Sequence, residues 1–116
     1  MLAEEIIAGV FALGDHIRYV AVANGQDVEL RQRMALVDAS SNDSDRYEEL
    51  LVNPALLLLT RQRGDIDCGG LEYVIVRYGN FAQVVLPHPA GGHVSVAVSP
   101  DEDPVAVAEA VQALLG

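Results

Sequence analysis

The apolar positions divide the chain into alternating helical and extended patterns. Leu2, Ile6, Ile7, Val10, Phe11 and Leu13 recur at helical spacing, with Glu4 and Glu5 in the first turn, where carboxylates suit the helix dipole. This spacing predicts a helix over residues 2–13, stopped by Gly14. "IRYVAVA" (17–23) and "QDVELRQR" (26–33) read as two strands joined by Asn24-Gly25, a strong hairpin signal. A tight turn there pairs Ala21 with Val28, Tyr19 with Leu30 and Ile17 with Gln32, forming one apolar face. The other face of the return strand is charged throughout (Asp27, Glu29, Arg31, Arg33), which suits a sheet edge.

A polar loop over residues 38–45 precedes a second helix. Asp45 with Glu48 three residues later has the spacing of a capping box. The helix runs through "RYEELLV", meets Pro54 and continues to Arg63. Asn53 reads as an N-cap with proline at the next position, so this is either one kinked helix or two short ones. The glycine-rich "RGDIDCGG" ends it. "LEYVIVRY" (71–78) turns at Gly79-Asn80 into "FAQVVLP" (81–87), with Tyr78 opposite Phe81, and "HPAGG" leads to "HVSVAVS" (93–99). Both faces of the 71–87 pair are apolar and need cover. Asp103 caps a last helix that has Pro104 in its first turn and ends at Leu115.

The expected order is therefore α-β-β-α-β-β-β-α: an α+β fold with a single five-stranded, mostly antiparallel sheet and helices on both faces. The whole of 1–116 is read as one domain. The middle helix is the unusual element. On an uninterrupted helix Tyr47, Leu50, Leu51, Val52, Ala55, Leu57, Leu58 and Leu59 would cover an arc of roughly 220°, against about 100° for a one-sided surface helix. One sheet face cannot cover that arc, and the other two helices are needed on the opposite face. A second subunit, packed helix on helix in a two-fold dimer, is the simplest cover. The competing reading is that the kink at Pro54 re-phases the two halves so that each buries its own stripe.

Composition narrows the function classes. A chain of 116 residues with 51% hydrophobic and only 5% aromatic residues builds an aliphatic core and is not disordered. The formal net charge is -10, and all seven basic residues are arginines. Such a surface repels phosphate backbones and anionic lipid, so neither nucleic acid nor a membrane is expected as a partner. Without lysine there is no Schiff base and no phosphate-loop lysine. The single cysteine excludes an internal disulfide framework. The N-terminal segment lacks the basic start of a signal peptide and is too short to cross a bilayer, which points to the cytoplasm.

No cofactor, metal or catalytic site is expected. In "GDIDCGG" a phosphate loop fails for want of lysine, and a calcium loop fails for want of ligands after Asp65 and Asp67. Those acids would also raise, not lower, the pKa of Cys68 were they beside it. The plain reading is a helix-to-strand turn. His88 and His93 flank "PAGG" and could in principle share zinc, but two histidines are weak grounds and solvated loop histidines are preferred; His16 is read as a turn residue. Ser40 and Ser41 lack a nucleophile elbow. Glu48 and Glu49 are adjacent, so on a helix they diverge and do not form an acid/base pair. Tyr78, Asn80 and Phe81 could form an exposed recognition tip, with cross-strand packing of the two rings as the preferred alternative.

The segments "IRYVAVANGQDVELR", "LLVNPALLLL", "LEYVIVRYGNFAQVVLPHPAGGHVSVAVSP" and "DPVAVAEAVQALL" together resemble the roadblock / dynein-light-chain-like domain family, which is related to longin and profilin-like folds. The resemblance covers nearly the whole chain and rests on pattern and element order. It implies a non-enzymatic homodimer that regulates or scaffolds small GTPases, motor complexes or polarity systems, dimerising through the middle helix and the strand after it. Carried onto this sequence, the expected dimer interface is Tyr47, Leu50, Leu51, Leu57, Leu58, Leu71 and Tyr73. The alternative function is a small-molecule-sensing domain with a pocket between sheet and middle helix, its polar groups drawn from Tyr73, Arg77 and Gln83.

Overall fold

The computed structural model describes residues 1–33 and 41–116. Asp38, Ala39 and Ser40 of the expected polar loop therefore lie outside the described residues. The elements are α1 (Ala3–Phe11), β1 (Ile17–Asn24), β2 (Asp27–Gln32), α2 (Asn42–Tyr47), a π-helical segment (Glu48–Val52), α3 (Asn53–Asp67), β3 (Val74–Arg77), β4 (Ala82–Pro87), β5 (His93–Val98) and α4 (Pro104–Leu115). The strands form one sheet in the order β2-β1-β5-β4-β3, and every neighbouring pair is antiparallel. β5 is central, and β2, as its charged outer face suggests, lies at an edge. The expected fold class is the observed one.

The dry core lies between α1, α4 and one face of the sheet. Ile6, Ile7 and Val10 of α1 and Val107, Ala108 and Val111 of α4 pack on Val20, Val84, Leu86, Val94, Val96 and Val98. These β-branched and aliphatic side chains contribute most of the apolar area removed from water. The middle helix covers the other face, where Tyr19, Ala21 and Ala97 form a smaller cluster with Leu30 and Phe81.

Several local expectations are corrected. The first hairpin turns at Gly25-Gln26, since Asn24 pairs with Asp27. Tyr19 therefore faces Gln32, Ala21 faces Leu30 and Ala23 faces Val28. Sliding the turn by one residue moves the register by two, so the same side chains keep the same faces. The cause lies on the far side of β1: Ala23 also pairs with His93 of β5, which holds β1 extended through Asn24. Gly92 sits so close that a Cβ there would collide with the Ala23 carbonyl, and its φ is +77°. Ile17 is on the dry side with Val20, not with Tyr19, because the β1–β5 ladder shifts register between Ile17 and Tyr19. β3 is shorter than residues 71–78, while the expected opposition of Tyr78 and Phe81 is observed: Tyr78 N–H donates to the Phe81 carbonyl at 2.9 Å.

The middle helix is continuous from Asn42 to Asp67, neither split nor ended at Arg63. Ser41, not Asp45, is its N-cap, accepting from the Ser44 amide. Asp45 is instead buried in the first turns, where Gln32 Nε2 donates to it at 2.8 Å. Pro54 cannot donate to the carbonyl four residues back, and its ring crowds that carbonyl. The chain accommodates this by widening the preceding turn, where the Asn53 N–H donates to the Glu48 carbonyl five residues back. Asn53 is thus a buried helical residue and not a cap. Gly64 lets the last turn fold back closely, its carbonyl accepting from Cys68 and Gly70.

Candidate functional site

The middle helix presents two faces of opposite character. Outward, Tyr47, Leu51, Leu58 and Leu59 are between 58% and 66% exposed, and Ile66 continues the apolar surface toward the C-terminal end. Leu50 and Leu56 are half-buried, while Leu57, 5% exposed, points into the chain's own interior. A hydrophobic patch of this kind on a helix marks an interaction surface more often than a solvated one.

Inward, the helix buries charge. Glu49 is completely buried. Its Oε1 accepts from Asn53 Nδ2 at 2.9 Å and lies 2.8 Å from His93 Nε2; its Oε2 accepts from the Tyr19 hydroxyl at 2.8 Å and the Ser95 hydroxyl at 2.9 Å. A carboxylate only accepts, so His93 Nε2 carries the proton in this contact. Gln83 Nε2 donates in turn to Ser95 Oγ. Three elements thus converge on one side chain: β1 through Tyr19, β5 through His93 and Ser95, and α3 through Asn53. Four donors fill the two oxygens, the condition under which a buried carboxylate is tolerated. The Tyr19 phenol is pushed far above its usual range, first by burial and then by the Glu49 charge beside it. Glu48 makes none of the four contacts to Glu49, and the Tyr78 hydroxyl lies 3.4 Å from its Oε1. Burial, followed by the Glu49 charge, raises the Glu48 carboxyl; burial and Glu48 raise Tyr78.

Beside this knot a cleft of about 440 Å³ opens between the middle helix and the tips of the β1–β2 and β4–β5 connections. Its walls include Leu50, Pro54, Leu57 and Leu58, its base reaches Glu49 and His93, and Arg61, Gln62 and Asp65 stand along the helix side.

No family model matches the sequence, and neither does any curated protein. Solved structures do match over nearly the full length. A Roadblock/LC7 domain from Streptomyces avermitilis superposes with a TM-score of 0.73 at 16% identity, covering 98% of this chain and 91% of that one. The fold is the roadblock fold. The gliding protein MglB of Thermus thermophilus superposes at 0.63 with 10% identity, covering 97% and 87%. MglC of Myxococcus xanthus superposes at 0.58 with 17% identity, covering 99% and 100%. An MglB described with a tetrameric arrangement also matches, at 0.67 and 13% identity.

Within this roadblock frame the expected interface residues separate. Tyr47, Leu51 and Leu58 share the outward face of the middle helix, with Leu50 at its margin. Leu57 turns inward. Tyr73 packs against the dry core on the opposite side of the sheet. Leu71 lines a shallow groove with Leu86, Pro87 and Leu115. The structure therefore does not bring Leu71 and Tyr73 together with the leucines. At the expected tip, the Tyr78 and Phe81 rings pack with centroids 5.3 Å apart, and Phe81 leans on the Tyr19 cluster. The Asn80 carbonyl accepts from Arg18 Nη1 at 3.0 Å, so the tip is held from two sides.

Of the polar groups proposed for a pocket, none lines the cleft. Tyr73 is on the other side, Arg77 is exposed at the edge strand, and Gln83 is buried against Ser95. His93 is not a solvated loop residue but a buried partner of Glu49, whereas His88 stays in the loop and accepts from the Ala90 amide through Nδ1. Cys68 is exposed at the end of α3, next to Asp67. The Arg63 guanidinium, then the Cys68 thiol, hold the Asp67 carboxyl below its ordinary value. The Glu49 knot was missed from sequence. Its signal is present: Glu49 and Asn53 stand one turn apart within an apolar helix, and His93 and Ser95 alternate with Val94 and Val96 on a strand with no solvent face.

Proposed function

We propose that this protein is a non-enzymatic homodimeric regulator or scaffold that acts by protein–protein recognition in the cytoplasm. The observation that carries this reading is the outward face of the middle helix, where Tyr47, Leu51, Leu58 and Leu59 stay exposed after the chain has folded. The roadblock fold supports it, since the resemblance implies dimerisation through this helix. A small GTPase is the partner class that resemblance suggests. Among the described residues no helix is long and apolar enough to cross a membrane. Light scattering on the purified protein is expected to give a dimer, and Leu58→Arg to give a folded monomer. A stable wild-type monomer would overturn the dimer. Affinity capture, with Leu58→Arg as control, is expected to recover a small GTPase.

The cleft favours a second reading, a small-molecule sensor. Its apolar walls and polar base have the make-up of a ligand site. A thermal-shift screen is the test, and a broad screen with no stabilising compound counts against it.

A further inference from the structure

Leu56, Leu57, Leu58 and Leu59 offer one side-chain type around a full turn of helix. Rolling the helix by about 100° would exchange one leucine beneath it for its neighbour. Apolar burial has no direction, so it discriminates poorly between such orientations. Yet one orientation is chosen: Leu57 is buried, Leu58 and Leu59 are exposed.

Glu49 and Asn53 lie on the inward stripe, one turn apart, and both are completely buried. Their contacts, unlike those of leucine, are directional. Tyr19, His93 and Ser95 are anchored in the sheet, and all three hydroxyl or ring N–H groups meet the same carboxylate. A roll would strip that carboxylate of three sheet donors and leave those donors unpaired. A buried charge without partners costs far more than one leucine swapped for another. With Glu49 inward, Leu51, two residues and about 200° further round the helix, faces out. Asn53 Oδ1, the buried side-chain atom left without a partner among the described residues, shows that this arrangement is kept at some cost.

We propose that the Glu49 knot is the azimuthal lock of the middle helix, selecting which leucines the chain presents as its interaction surface. The proposal concerns how the outward face is chosen and holds whatever covers that face. Glu49 is thus a positioning residue for that surface.

The test reads helix orientation directly. In a Cys68→Ser background, which removes the exposed native thiol, Leu57→Cys reports the inward side of the helix and Val96→Cys reports the dry core. Maleimide labelling of each is compared with and without Glu49→Leu, and again with the milder Glu49→Gln should the leucine variant fail to fold. Loss of the lock is expected to speed labelling at position 57 at least about tenfold while position 96 changes less than about twofold, the pattern of a local rather than global opening. Unchanged protection at position 57, or equal loss at both positions, overturns the proposal. The outcome does not depend on dimerisation, so a monomeric wild type would remove the dimer reading and leave this one standing.

Discussion

The two sides of the sheet solve the same burial problem with different chemistry. On the α1/α4 side, aliphatic side chains from two helices and four strands close a dry layer. On the middle-helix side, the buried centre is a glutamate with four donors, and the leucines are spread outward. The dry side gains its stability from area, which tolerates small shifts in packing. The polar side gains little net stability from its ion and hydrogen bonds but tolerates only one geometry. The difference explains how one chain can keep a robust core and still leave an apolar helix face exposed.

The contrast can be broken most severely at neighbouring leucines. Leu57→Arg, which puts a charge into the interior, is expected to unfold the protein, with a loss of more than about 4 kcal/mol. Leu58→Arg, one residue on, is expected to leave a folded chain by circular dichroism while abolishing the dimer in light scattering. Next in size, Glu49→Ala leaves four donors around an empty site and is expected to cost about 3–5 kcal/mol in denaturant titration. Ile6→Ala on the dry side should fall in a similar range, about 2–5 kcal/mol, but through a cavity and with the same slope against denaturant as wild type.

Tyr19→Phe removes one donor to a charged acceptor, about 1.5–3 kcal/mol at neutral pH. It also changes the alkaline limb. The folded-state pKa of Tyr19 lies above its unfolded value of 10.0, so its contribution is fully present below pH 10 and is lost as pH rises further. The wild type should therefore lose stability more steeply above pH 10 than Tyr19→Phe does. The smallest effect is expected at Glu48. Its carboxyl is raised above the ordinary 4.5, so folding favours the protonated form and the carboxylate carries a penalty at neutral pH. Glu48→Gln should gain less than about 1 kcal/mol at pH 7, and the gain should vanish below pH 4.5, as thermal melts at the two pH values would show.

Much of the fold could be read before any coordinates. Periodicity located the three helical regions and five strands, and the expected need for cover at residues 71–87 is met on one face by the dry core, where Tyr73, Ile75, Val84 and Leu86 lie. The candidate surface was legible only as an arc of apolar positions. Which leucines face out was not, because four identical side chains carry no phase. Asn53 before Pro54 looked like a helix start, since a proline has no N–H to donate and the signature of a cap is the same. The helical backbone of Asn53 and the widened turn before it distinguish an interior residue from a cap. His93 looked like a loop histidine because it follows two glycines, and its burial depends on a helix forty-four residues earlier in the chain.

What this sequence determined by itself was the order of elements, the edge position of β2 and the presence of more apolar surface on the middle helix than one sheet face can cover. These follow from local spacing, turn residues and charge, all of which act over a few neighbouring positions. Only the tertiary structure decided the register of the first hairpin, the passage of the helix through Pro54 and the burial of Glu49. Each of these depends on donors, acceptors and close backbone approaches brought together from distant strands, and directional contacts of that kind leave no periodic trace along the chain.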